Sequence, residues 1–187
     1  MKAFSQLFIG MSIALQMLAC SSEQPNKAKA LQLLKEINEI AERSRETSPT
    51  DDMMSKARRI GENRKNFPDS REELKNDAKS LGEFFARSNE EDEQIIEKYQ
   101  ELLKLGLVKP EADCVENSLK QTRDSIEKKK ASISEFELFF DDDIKDKQTL
   151  DARTLPIRQK ADSLDEEIVE LGAWSKAHCP GRWNGGR

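Results

Sequence analysis

Aromatic side chains make up only 6% of the 187 residues, and His178 is the single histidine. A serine–histidine–aspartate relay would have to use His178, and no residue nearby marks a nucleophile. The eight glycines are scattered, with the densest cluster at Gly185-Gly186. No phosphate-cradling glycine loop is therefore present. Cysteine is scarce too: Cys20, Cys114 and Cys179 are the three. The closely spaced ligand pairs of structural zinc sites are missing. His178, although next to Cys179, reads instead as a helix-end residue, favoured near the negative end of the helix dipole. No apolar run reaches the ~20 residues that a spanning helix needs. The longest, Leu7 to Ala19, is interrupted by Gly10, Ser12 and Gln16. No metal and no cofactor is expected.

Charge is what the chain has in quantity. Charged residues reach 36%, and 31 Lys and Arg against 36 Asp and Glu leave a net charge of −5. The two signs are interspersed and no basic face emerges, so nucleic-acid binding lacks its electrostatic footprint. A sequence rich in Glu, Lys, Leu, Ala and Arg, with few Gly and Pro, suits long exposed helices better than a thick core. Asp141-Asp142-Asp143 suggests calcium at first sight. As an EF-hand loop it fails, because Asp146 stands where the sharp-turn glycine belongs and Ala152 where the bidentate acid belongs. It reads as a solvated turn. Paired-carboxylate chemistry would need one carboxyl desolvated in a cleft. A thin charged bundle is a poor place to build one, so an enzyme is not expected.

The N-terminal segment carries an address. Lys2 supplies a positive start, Leu7 to Ala19 an apolar stretch of signal-peptide length, and Met17-Leu18-Ala19-Cys20 is followed at once by Ser21 and Ser22. This arrangement resembles the lipobox of bacterial lipoproteins. Met17 departs from the leucine usual in that place, and Leu18 from a small or β-branched residue. The resemblance covers only about residues 1–21. It implies removal of residues 1–19 as a signal peptide and acylation of the Cys20 sulfur (a palmitate-type modification). It also implies several acyl chains, and hence firm attachment to a bacterial membrane. Ser21 takes the place where the family's inner-membrane retention signal would put Asp. In a Gram-negative host that favours the outer membrane, facing the periplasm. Residues 20–26 would be a lipidated tether, reaching only ~20 Å when extended. Loss of residues 1–19 removes only Lys2, so the mature charge is near −6.

If Cys20 carries lipid, Cys114 and Cys179 remain as an even pair in an oxidising compartment, and a disulfide between them is expected. Two free thiols, or pairing with another chain, are the alternatives.

Apolar periodicity predicts an all-α fold: an elongated antiparallel, coiled-coil-like bundle of about five helices over 27–179, followed by a flexible tail, 180–187. The first helix spans about 27–46, with Ala30, Leu33, Leu34, Ile37, Ile40, Ala41 and Ser44 on one stripe. Pro49 breaks it and Thr50 can cap the next, about 51–66, where Met53, Ala57 and Ile60 share a face. Ser70 with Glu73 matches a capping box for the third. There Leu74, Ala78, Leu81, Phe85, Ser88, Asp92, Ile95, Tyr99 and Leu102 hold one register through a polar stretch. Two readings compete there: Ser88 and Glu91 could cap a fresh helix and so mark a break, whereas the unbroken register favours one continuous helix, stopped at Gly106. Pro110 opens the fourth, with Val115, Leu119, Thr122, Ile126, Lys129, Ile133, Phe136 and Phe140 on its stripe. The polar run to Asp151 interrupts the pattern. A fifth helix follows over about 154–178, with Ile157, Ala161, Leu164, Ile168, Leu171 and Trp174 inward, and Pro180-Gly181 ends it. The mean of 114 and 179 is 146.5, which falls inside the connection placed from pattern alone. Helices four and five should thus form a hairpin clamped by the disulfide at its open end.

Phe84-Phe85 and Phe139-Phe140 are adjacent pairs, and neighbours on a helix lie about 100° apart, so one of each pair can leave the core stripe. Phe84, Phe139, Trp174 and Trp183 are accordingly the candidate partner contacts. The expected role is non-enzymatic: a structural or protein-interaction module anchored at the cell envelope through lipid and engaging an envelope protein. A protective lipoprotein, such as an immunity or exclusion factor, is one alternative, suggested weakly by the acidic charge. A helical module binding a small ligand between its helices is another.

Overall fold

A computed structural model describes residues 26–46 and 50–179. The expected signal peptide, Cys20, most of the tether, the 180–187 tail and Trp183 lie outside the described residues. The described residues form five α-helices and no strand: α1 Lys27–Glu46, α2 Asp51–Asn63, α3 Arg71–Leu103, α4 Lys109–Glu137 and α5 Lys147–His178. Short 3-10 turns, Arg64–Asn66 and Leu138–Phe140, extend α2 and α4. The fold is therefore the expected all-α helical bundle.

Helix ends follow local chemistry in part. Thr50 takes the N-cap position of α2 in extended backbone, but its hydroxyl makes no capping bond. Asp51 and Asp52 supply negative charge to that first turn instead. The Ser70–Glu73 capping box does not form. The Ser70 amide donates to Asn66 O, its hydroxyl donates to Asn63 O, and the Glu73 carboxylate accepts from Asn63 Nδ2. Both residues thus tie the start of α3 back to the end of α2. Gly106 follows α3 with φ +72°, the left-handed conformation that glycine enters without a Cβ penalty.

The chain divides into two compact units. Among the described residues, the first combines α1 with residues 91–124 and 165–179. Its core gathers Ala30, Leu33, Leu34, Ile37 and Ile40 of α1 with Ile95, Tyr99, Leu102, Val115 and Leu119. Every residue of the α1 stripe read from sequence is buried. Ser44 closes that stripe by donating to Glu91, and Lys98 pairs with Glu36 at 2.9 Å, which fixes α1 antiparallel to this part of α3.

The second unit combines residues 47–90 with 125–164. Its core holds Ile60, Phe67, Leu74, Ala78, Leu81, Phe139, Ile144 and Leu150. Two stripe positions that are polar in sequence meet here: Lys129 Nζ donates to Ser88 Oγ at 2.7 Å. The α3 register runs unbroken through its polar stretch, and the helix is continuous.

Three local expectations need correction. Ala57 is exposed, and the inner face of the α2 segment runs through Ile60, Arg64 and Phe67 instead. Phe139 is fully buried while Phe140 is 47% exposed, the reverse of the expected inward choice. The cause is the 3-10 turn. At three residues per turn, the position beneath Phe136 is Phe139, three along, whereas an α-helix would have put Phe140 there. Finally, α5 begins at Lys147, seven residues earlier than expected, and carries Pro156 inside it. Asp146 makes the early start possible. Its carboxylate accepts the Thr149 amide at 2.8 Å and the Thr149 hydroxyl at 3.0 Å, and Leu150 and Thr154 of the new turns are fully buried.

Candidate functional site

Cys114 and Cys179 form the expected disulfide, with their Cα atoms 5.9 Å apart. Around it, polar contacts stitch α4 to α5 within the first unit. Asn117 Nδ2 donates to Leu171 O at 2.8 Å and also reaches Ser175 Oγ. Lys120 pairs with Glu167 at 2.7 Å and with Asp124 at 2.9 Å. These carboxylates hold the Lys120 ammonium in its charged form, Glu167 contributing most, so its pKa is raised. In the second unit Glu127 pairs with Lys160 at 3.1 Å. The partners approach one another symmetrically about the 141–146 turn, as in an antiparallel hairpin.

The aromatic candidates separate. Trp174 is half-buried and stacks on His178, with ring centroids 4.7 Å apart, while His178 Nδ1 lies 2.9 Å from Trp174 O. This pair caps the last turn of α5 beside the disulfide. Phe84 is half-buried and tilted against Phe85, which in turn stacks on Phe136 at 6.1 Å. Phe139 offers no surface for a partner, since its whole side chain is core. The exposed large apolar residues are Val108, Phe140, Leu155 and Val169.

Two features of the second unit have no counterpart in the sequence reading. The first is a buried ionic cluster around Arg64, whose side chain is 9% exposed. Its guanidinium donates to Glu135, to Asp151 at 2.8 Å and to the buried Thr154 hydroxyl. Arg158 holds both Glu135 oxygens, and Lys147 takes the other Asp151 oxygen. Asp151 is held below its ordinary pKa chiefly by Lys147, and further by Arg64, against the opposing effect of burial. The second is Arg71. Its guanidinium lies 4.7 Å from the Phe67 ring centroid and donates to Ile144 O, which laces the turn before α3 to the turn before α5. No residue type or spacing announces either feature, because the partners come from segments far apart in sequence.

Among the described residues, four carboxyls depart from their ordinary pKa range: Glu36, Glu127, Asp146 and Asp151. All four are lowered, by Lys98, by Lys160, by the Thr149 amide and by Lys147 respectively. A carboxylic general acid needs the opposite shift. These groups serve as ion-pair and capping partners. Among the described residues, no group of three or more His, Cys, Asp or Glu could hold a metal ion. Nor is any described helix long and apolar enough to cross a membrane.

At the start of the described chain, Asn26 Nδ2 donates to Leu105 O at 3.2 Å. That bond fixes the point where the expected tether joins the first unit, beside the loop between α3 and α4. Compared with known proteins, the chain matches no family model, no curated protein and no solved structure.

Proposed function

We propose that the protein is a lipid-anchored component of a bacterial cell envelope, held at the membrane through acylated Cys20 and exposed to the periplasm. There it acts as a non-enzymatic interaction module. The observation that carries this reading is the Cys114–Cys179 disulfide, a bond that persists in oxidising compartments and is rare in the cytosol. It takes up both remaining cysteines and leaves Cys20 for lipid. The lipobox-type segment supports the same address, and the dense ion pairing of the helices suits a surface in water.

The anchor is tested by fractionation and intact mass. Wild-type protein should sediment with membranes and carry the added mass of acyl chains on Cys20. The Cys20→Ala variant should carry none; equal masses for the two chains would sink the reading. The interaction role is tested by crosslinking in intact cells followed by mass spectrometry. A recurrent envelope protein at defined lysines supports it, and only abundant bystanders count against it.

A further inference from the structure

The bond from Asn26 to Leu105 O puts the first turn of α1 beside the α3–α4 loop, within the first unit. Four lysines belong to this end: Lys27 and Lys29 on α1, Lys104 and Lys109 flanking the loop. Lys29, Lys104 and Lys109 are exposed, Lys27 is half-buried, and none of the four forms an ion pair with a described residue. The other lysines of this unit's helices have partners, among them Lys35 on Glu39, Lys98 on Glu36 and Lys120 on Glu167. Between Lys104 and Lys109 the loop exposes Val108 at 49%, while Leu105 and Leu107 pack against the core and hold the loop in place. The loop also contains Gly106 in the left-handed conformation, which turns the chain at this point.

We propose that this end of the first unit seats on anionic lipid headgroups of the membrane that holds the acyl chains. Val108 enters the interface, and Lys27, Lys29, Lys104 and Lys109 contact phosphates around it. The proposal rests on the lipid-anchor reading. Six residue steps lead from Cys20 to Asn26, so Asn26 and the loop beside it stay within ~20 Å of the membrane surface. Charge sets the orientation. The chain is acidic as a whole, so an anionic surface repels most of the first unit and attracts the end where Lys27, Lys29, Lys104 and Lys109 lack ion partners. Three half-buried acids oppose them there: Glu101 in the last turn of α3, Glu111 in the first turn of α4 and Asp113 just beyond it.

Each lysine near an anionic surface shifts the docked-to-undocked ratio by about fivefold. Lys104→Gln with Lys109→Gln should therefore lower that ratio by roughly 25-fold. The full chain, purified from membranes in detergent, is reconstituted into phosphatidylglycerol vesicles or into phosphatidylcholine vesicles. Hydrogen exchange is then followed at residues 104–109. Slower exchange in phosphatidylglycerol alone, lost in the double-lysine variant at unchanged melting temperature, is the expected result. Identical exchange in both vesicles would overturn the proposal. Intact mass on the same sample reports Cys20 acylation separately. Acylated protein without lipid-dependent protection keeps the anchor and removes the docking; unacylated protein with protection does the reverse.

Discussion

Arg64→Ala should be among the most damaging single substitutions in the second unit. The Arg64 side chain is 9% exposed and meets Glu135, Asp151 and the fully buried Thr154 hydroxyl. Removing one partner of a buried ion pair commonly costs 3–5 kcal/mol, because the other charge is left without compensation. Here the penalty is reduced, since Glu135 keeps Arg158 and Asp151 keeps Lys147. Burial of the stem contributes separately: alanine keeps Cβ, so two methylenes are lost at about 0.8 kcal/mol each. Together these place the loss near 3 kcal/mol, or ~6–12 °C in melting temperature at this chain length. Arg64→Met keeps most of the stem and loses the guanidinium, so it should fall between wild type and Arg64→Ala. Thermal and urea melts followed by far-ultraviolet circular dichroism give the ranking. An Arg64→Ala melt within about 2 °C of wild type would refute the reasoning. So would Arg64→Met melting below Arg64→Ala, because the stem could then contribute nothing.

The disulfide closes a sequence separation of 65 residues, which the chain-entropy treatment values at roughly 4 kcal/mol. The Cys114→Ser, Cys179→Ser double variant should melt clearly lower under non-reducing conditions, and an unchanged melt would refute the clamp. Phe139→Ala should cost about 3–5 kcal/mol as a large-to-small change in the core. Phe140→Ala, at an exposed site, should stay within about 0.5 kcal/mol, and urea melts of the two would expose a reversed order. Acid should destabilise the fold through Asp151, Asp146, Glu127 and Glu36. Their folded pKa values lie below the unfolded ones, so the stability they add is complete above the ordinary carboxylate range. It is lost as pH falls through the folded values. Melting temperature should be level around neutrality and drop below about pH 4, with Asp151→Asn showing a smaller drop; a flat acid limb in wild type would contradict the assignment.

Legibility in the sequence tracks how local the determining interactions are. The α1 stripe could be read residue by residue because a single helix with one buried face repeats its requirement every three or four positions. The continuity of α3 was legible for the same reason. Its polar positions stay in register, and the Ser88–Lys129 contact shows why a serine and a lysine can occupy a stripe otherwise built from Leu, Phe and Tyr. The hairpin turn was legible because the polar run to Asp151 interrupts the apolar pattern, and the midpoint of Cys114 and Cys179 falls inside that run. Periodicity failed where helix type changes, as at Phe139, since three residues per turn and 3.6 residues per turn diverge within a single step. It also failed where a single side chain decides a boundary, as Asp146 does for α5.

The candidate site divides along the same line. Cys114 and Cys179 announce themselves by residue type and setting. The contacts that give the rest of the chain its specific form, Arg64 to Glu135 and Asp151, or Asn26 to Leu105 O, join residues that are unremarkable alone and distant in sequence. In so polar a chain, apolar burial sets which face of each helix turns inward, but leaves sliding along the helix axis weakly opposed. Buried ion pairs can fix that register, because a shift of one turn would strand Arg64 without a carboxylate. The test is a double-mutant cycle: Arg64→Met combined with Glu135→Gln should cost less in urea melts than the two single changes summed, by about 0.5–3 kcal/mol. Strict additivity would mean that apolar packing alone holds the helices in register.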